Sequence, residues 1–468
     1  MNESDRLKRF FAKHPHHHKT FFSRPDVSRR QFFEVLGTGM AGSYLLPGVA
    51  RGEATAAGVT TQNKAQNVIF ILLAGAISHS DTFDLKMVNG VTPTNFRPDT
   101  INGINWPTGL LPKMRDRLPD IAIVRSMQAH ALVHSLAQHW TQIGRNPAAA
   151  LGNIAPNIGS VVAIEKYQKD QLFPPFLALS SNACVGNGYL SAQYAPFKIT
   201  AAATGLANTA NPFDASGAQN GRFDQMYTGM QSLDAAVRAS SPYGKSLDDY
   251  SQFYDAARRM MYDDRVKTAF SYTQADSTRY GTTAFGNSCL VAKQVLAANQ
   301  GTRFVLITHG GWDMHQDIYG TANPNGNNLY TLGKALDDGY SALLADLKSS
   351  GLLDQTLVVM VGEFGRTVGQ LSAQGGRDHW LQQSAVFAGA GIKGGRTIGS
   401  TTADGSTTAN PGWSRNRPVN PEDVEATVYS ALGIDWTTVR KDDPFGRGFE
   451  YVPYADQDLY GPINELWS

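Results

Sequence analysis

Residues 67–84, Asn-Val-Ile-Phe-Ile-Leu-Leu-Ala-Gly-Ala-Ile-Ser-His-Ser-Asp-Thr-Phe-Asp, decide how the rest of the chain is read. From Asn67 to Leu73 the run is apolar at successive positions, not alternate ones, which is the pattern of a strand buried on both faces. Ala74-Gly75 ends it, and an imidazole and two carboxylates follow closely: His79, Asp81 and Asp84. A buried strand that empties into a polar segment recurs along the chain. Ile121 to Val124, Thr302 to Ile307 and Thr356 to Val361 are further apolar runs, and Ser384 to Phe387 is a candidate fifth.

Helical stretches separate these runs, at roughly 134–143, 158–169, 328–350 and 421–432. In the third, Leu329, Leu332, Leu336, Leu343, Leu344 and Leu347 recur at three- and four-residue spacing, and Gly351 supplies a stop signal. Strands alternating with helices predict an α/β fold with a mostly parallel sheet covered on both faces. The region 200–285 opens with a loop rich in Thr, Ala, Asn and Gly, then reads as two amphipathic helices near 223–238 and 246–272, a helical insertion on the core. Residues 394–420, rich in Gly, Thr and Asn, read as surface loop.

The first 56 residues read as a leader. Ser28-Arg29-Arg30-Gln31-Phe32-Phe33 matches a twin-arginine export signal, a weakly apolar stretch follows to Ala50, and Ala54-Thr55-Ala56 is an A-x-A cleavage site. The apolar stretch is too short for a stable membrane span, which takes about 20 residues. The expectation is export through the twin-arginine translocase to a periplasmic or secreted location, with residues 57–468 forming the mature α/β domain. Without the leader's 9 basic and 5 acidic residues, the chain keeps 32 basic and 35 acidic. That balance gives no reason to expect nucleic acid or an anionic membrane as partner. Cys184 and Cys289 are too few for a disulfide framework, though one bridge is compatible with an oxidising compartment. No C-x-x-C-H or dinucleotide glycine fingerprint supports a haem or redox protein.

Seven histidines remain beyond the leader: His79, His130, His134, His139, His309, His315 and His379. Each lies beside a predicted strand end or helix start. In an open parallel sheet, ligands bind at the carboxyl ends of the strands. Thr308-His309-Gly310-Gly311-Trp312-Asp313-Met314-His315 follows one such end, and Gly362-Glu363-Phe364-Gly365-Arg366 follows another. Gly375-Gly376-Arg377-Asp378-His379 comes soon after. Imidazoles and carboxylates gathered from separate strand ends are the ligands that one or two divalent cations take.

The motifs GxxSHxDTFD, RSM, GYLSAQYAPF, YGTTAFG, GGWDMH, GEFGRT and GRDHW, in that order from about residue 67 to the C-terminus, resemble the exported family called domain of unknown function 1501. The resemblance implies the alkaline-phosphatase and sulfatase superfamily, with a large mostly parallel mixed sheet sandwiched between helices. It also implies hydrolysis of phosphate or sulfate esters at a metal site. In that register Glu363 falls on a metal-ligand aspartate and Phe364 replaces a histidine. Asp313 and His315 resemble another ligand pair, and His379 resembles the late histidine ligand. Ala74 stands where a ligand aspartate is expected, so Asp81 or His79 is the substitute. His134 occupies the nucleophile slot at a helix start, with Ser135 beside it.

The reading that follows is a metal-dependent ester hydrolase acting on a small-molecule or glycan ester. Asp81, His79, Asp313, His315, Glu363 and His379 are its candidate ligands for zinc, manganese or calcium. His134 is nucleophile or general acid–base, Ser135 the fallback nucleophile, and Arg366 either holds an anionic group or pairs with Glu363. The competing reading is a non-catalytic exported binding protein on the same scaffold.

Overall fold

The computed structural model describes residues 59–168, 171–181, 183–206, 220–239, 255, 257–261, 263–320 and 327–468. Residues 1–58, where the leader and twin-arginine signal are expected, lie outside the described residues. Each apolar run becomes a strand of one sheet: β1 (Asn67–Leu72), β2 (Ile121–Gln128), β5 (Phe304–Thr308), β6 (Thr356–Val361) and β7 (Gln382–Ala388). Three short strands without a clear sequence signal complete it, β3 (Phe176–Leu179), β4 (Phe197–Ile199) and β8 (Arg396–Ile398). Their order across the sheet is β8-β2-β7-β6-β1-β5-β3-β4. β4 and β8 are the two edge strands and β3 lies just inside one edge; each is only three or four residues long, which leaves little apolar pattern to detect.

β1 lies between β6 and β5, parallel to both, and every residue of β1 and β6 is buried. That is why the run from Asn67 carries no alternation. β7 alone opposes the common direction, antiparallel to both β6 and β2. On one face, Ile69, Ile71, Val305, Ile307, Val358 and Met360 join the leucines of helices Ala284–Ala298 and Leu329–Ser349 in a continuous core. On the other, Phe70, Phe176 and Phe304 pack ring on ring. Helix Ile158–Glu165 closes over them at Gly159, where a Cβ would come within 2.5 Å of Phe304. The fold is thus α/β, a mostly parallel sheet between helices.

In the region read as an insertion, helices run over Asn220–Ala239, Asp264–Phe270 and Gln274–Arg279. The expected helix over 246–272 falls partly outside the described residues, and residues 255 and 257–261 within it are helical. Its last part starts afresh at Asp264, because the Asp263 carboxylate accepts from the Arg265 N–H and caps a new helix. Residues 394–420, read as loop, contain β8 and a small pairing of Ser400–Thr401 with Thr408–Asn410. Cys184 and Cys289 are both free and buried. Burial pushes the Cys184 thiol up to about 12 and raises Cys289 further, so both stay as unreactive thiols. Among the described residues no helix is long and apolar enough to cross a membrane.

Candidate metal centre

The reversed direction of β7 builds the site. β1, β2, β5 and β6 all end at one rim of the sheet, and β7 begins there, directly after His379. His134 opens helix His134–Ile143 beyond β2, and Asp313 and His315 follow β5. These four side chains meet: one ligand atom from each of His134, Asp313, His315 and His379 lies within 4.8 Å of all the others. Asp313 Oδ1 is 2.9 Å from His315 Nε2, 3.2 Å from His134 Nε2 and 3.7 Å from His379 Nε2. His315 Nε2 and His379 Nε2 are 3.0 Å apart.

The far side of each ring fixes its tautomer. His134 Nδ1 is 2.7 Å from Glu363 Oε1, His315 Nδ1 is 2.8 Å from Asp378 Oδ1, and His379 Nδ1 is 2.7 Å from the Leu132 carbonyl oxygen. A carboxylate or carbonyl oxygen only accepts, so each Nδ1 carries the proton and donates it. With Nδ1 as the donor, each of the three rings turns Nε2 toward one point, beside the Asp313 carboxylate. Lone pairs crowded at these distances repel each other unless a cation or proton lies among them. His134 Nε2 is buried and makes no hydrogen bond. An imidazole with Nδ1–H on a carboxylate and Nε2 facing inward is the usual arrangement of a metal-bound histidine.

The family model described as "Protein of unknown function (DUF1501)" matches residues 65–452, which include all four of these side chains. The chain belongs to this family. Solved structures similar to it include the PsFucS1 sulfatase from Pseudoalteromonas sp., at 11% identity over 80% of this chain and 68% of that one, with a TM-score of 0.38. An alkaline phosphatase superfamily protein from Vibrio parahaemolyticus is 10% identical over 81% and 69%, TM-score 0.38. The phosphonate monoester hydrolase SpPMH from Silicibacter pomeroyi is 12% identical over 79% and 73%, TM-score 0.36. No curated protein matches the sequence.

Within this DUF1501 domain Glu363 stands behind the cluster, not in it. Its buried carboxylate accepts from the Gly75 N–H at 2.8 Å, the Ala76 N–H at 3.2 Å and Gln138 Nε2 at 2.9 Å, besides His134. With its oxygens so occupied, it orients His134 in place of ligating. His134 thus faces the cluster and Glu363 stands behind it, where the resemblance implies a nucleophile and a ligand. Arg366 is also fully engaged. Nε donates to the Ala76 carbonyl at 2.9 Å, one terminal nitrogen to the Arg377 carbonyl at 3.1 Å and, more distantly, to His315 Nε2 at 3.4 Å, and the other to the Gly75 carbonyl and, at 2.6 Å, to Asp313 Oδ1. Its guanidinium pins Asp313 instead of facing an anionic substrate, and its partner is Asp313, not Glu363.

Asp81 and His79 are placed apart from the four-residue group. Asp81 is buried against Arg377, 2.7 Å from its Nε, and also accepts from Tyr319 at 2.7 Å and Ser78 at 2.6 Å. His79 Nε2 lies 2.9 Å from the Gly405 carbonyl oxygen. Ser135 is exposed on the first helical turn, and both ring nitrogens of His134 face carboxylates, so His134 does not activate it. Phe364, which stands where a histidine was expected, stacks under His134 and His379, with centroids 4.8 and 4.5 Å away.

Charges divide the three histidines. Burial alone lowers the His134 pKa, but the hydrogen bond and charge of Glu363, with Asp313, more than offset this and raise it. His379 is lowered by burial and by the positive Arg366, against the Leu132 carbonyl. For Asp313, burial works upward, yet Arg366 holds its carboxyl below the ordinary range. Asp378 was legible as a motif neighbour of His379, but its bond to His315 was not. Gln138 and the Leu132 carbonyl carry no sequence signal, because their roles depend on how distant segments meet.

Gly75 and Gly376 are required where those segments cross. Gly75 sits at φ +99°, and a Cβ there would lie 2.5 Å from the Asp313 backbone nitrogen. At Gly376 a Cβ would come within 1.9 Å of the His315 carbonyl carbon.

Proposed function

We propose that this protein is a zinc-dependent hydrolase of phosphate or sulfate esters, a divergent member of the alkaline-phosphatase and sulfatase-like superfamily. Its export through the twin-arginine translocase to the periplasm or beyond belongs to the same proposal and rests on residues 28–56. The observation that carries the hydrolase reading is the convergence of three Nε2 lone pairs and the Asp313 carboxylate on a point open to solvent.

The donor set selects the metal. Three imidazoles and one carboxylate suit zinc, whereas calcium takes six to eight oxygens and manganese prefers oxygen ligands. Bonds of about 2.0–2.1 Å in a tetrahedron put ligand atoms about 3.3 Å apart. Four of the six separations, 2.9, 3.0, 3.2 and 3.7 Å, bracket that value, and the other two lie within 4.8 Å. One ion is the expected number. Of the other carboxylates nearby, Glu363 and Asp81 already have their oxygens filled, Asp378 lies on the Nδ1 side of His315, away from the cluster, and the fixed charge of Arg366 opposes a second cation.

Zinc held by these four groups would have to take a water as a fifth ligand, and would then lower its pKa toward about 7 and polarise an ester oxygen. The chain's own groups prepare that. Glu363 and Asp378 hold His134 and His315 in the ligating tautomer, and Arg366 keeps Asp313 ionised and in place. The Asp313 side chain is 43% and that of His315 37% exposed, which suits a working site better than a closed structural one. His134 acts as a ligand here, and water is the nucleophile.

A non-catalytic binding protein remains the second reading, favoured by the lack of a side-chain nucleophile in contact with His134. The test is hydrolysis of 4-nitrophenyl phosphate and 4-nitrophenyl sulfate by the zinc-loaded full chain. Zinc-dependent turnover that disappears in Asp313→Ala supports the hydrolase. Stoichiometric zinc without turnover of either ester supports the binding protein.

A further inference from the structure

The residues beside the ligands are apolar where exposed positions are usually polar. Leu132 and Val133 precede His134, and Trp380 and Leu381 follow His379; these four are 39%, 60%, 37% and 41% exposed. The two segments that carry them are tied together beside the ligands. The Ala129 N–H donates to the Leu381 carbonyl at 2.9 Å, and His379 Nδ1 to the Leu132 carbonyl at 2.7 Å. Both bonds use main chain from the apolar residues and leave their side chains partly exposed. Trp380 is held by its indole N–H on the Ser406 carbonyl at 2.6 Å, so its ring is fixed. Scattered single apolar residues on a surface need no explanation, but a contiguous group at the lip of a site does.

We infer that this lip is a subsite for the apolar part of the substrate, so that the ester carries an alkyl or aryl group beside its charged head. The inference rests on the zinc-hydrolase reading for the head group. Continuity with the ligands decides the occupant: Val133 and Trp380 adjoin ligands in sequence, and the Leu132 carbonyl is itself a partner of a ligand. A substrate whose anionic oxygen reaches the centre therefore brings its ester substituent over these side chains. A small polar ester would leave them in water.

The experiment is calorimetric titration of the zinc-loaded full chain with methylphosphonate and with octylphosphonate, which share a head group. Each buried methylene is worth about fourfold in affinity, so covering two of them gives more than about tenfold. The expected result is octylphosphonate binding at least about tenfold tighter, the ratio falling to about twofold or less in the Val133→Ser/Leu381→Ser double variant. Both positions are exposed, and retained zinc in the variant verifies its fold. Equal affinity of the two probes, or a ratio that survives the double substitution, overturns the subsite and leaves the hydrolase reading standing. Failure of both probes to bind zinc-loaded protein counts against the hydrolase reading itself and removes the basis of the subsite. Sedimentation covers the other occupant, since a dimer that the double variant dissolves would assign the surface to a second copy of the chain.

Discussion

Asp81 with Arg377, and Asp313 with Arg366, are both carboxylate–guanidinium pairs assembled from distant parts of the chain beyond the strand ends. Their separations are nearly equal, 2.7 and 2.6 Å. The difference lies in what surrounds them. Asp81 is 0% exposed, and Arg377, Tyr319 and Ser78 take up its oxygens. Asp313 is 43% exposed, with three imidazole nitrogens near the same oxygen. A closed pair holds the chain together, while an open one has capacity left for a ligand. Residue type does not distinguish them; saturation does.

The comparison breaks most visibly at the closed pair. Asp81→Ala leaves the Arg377 charge buried without its partner, a loss of about 3–5 kcal/mol of stability. Chemical denaturation should show that drop, while the fraction still folded binds one zinc per chain. Loss of zinc at unchanged stability would instead make Asp81 a ligand. At the open pair the pattern inverts. His379→Ala should weaken zinc binding by about two to three orders of magnitude, since it removes one of four ligands. The metal-free protein should lose less than about 1 kcal/mol, as expected of a partly exposed residue. Competition with a chromophoric chelator reads the first effect and a metal-free melt the second.

Glu363→Gln sharpens the distinction between ligand and support. It keeps the shape and removes the charge behind His134, so zinc affinity should fall about 10–100-fold, with the stoichiometry still one. A complete loss of zinc would return Glu363 to the ligand set.

The smallest effect concerns a third kind of carboxylate, buried with one oxygen unfilled. Glu425 Oε2 has no hydrogen-bond partner, and burial raises its pKa to about 8, against the nearby Arg145 charge. Because the folded pKa lies above the ordinary value of 4.5, folding favours the protonated acid. That contribution is complete below about pH 4.5 and is lost as pH rises through about 8. Glu425→Gln should therefore melt a few degrees higher than the parent at pH 8 and close to it at pH 4. Equal differences at both pH values would rule out titration of Glu425 as the cause.

Most of the fold was legible because its central strands are buried on both faces. The runs at 67–73, 302–307 and 356–361 became β1, β5 and β6 with ends shifted by at most two residues. β3, β4 and β8 were not legible, since runs of three or four residues carry too little pattern whether paired on both sides, as in β3, or at an edge. At the site, Asp313, His315 and His379 were readable from their place beside strand ends. The roles of His134 and Glu363 were not, because they depend on which ring nitrogen faces which carboxylate across 229 positions of chain. Asp81 looked like a ligand for the same reason: Arg377, which closes it, lies 296 positions away.

The central claim is that His134, Asp313, His315 and His379 surround a single cation. X-ray absorption at the zinc edge of the zinc-loaded full chain tests it most directly. The expected spectrum shows one zinc per chain in a shell of about four to five nitrogen and oxygen atoms at about 2.0–2.1 Å, the fifth being water, with outer-shell scattering from three imidazoles. A spectrum without imidazole scattering, a sulfur shell, or two equivalents of zinc would contradict it.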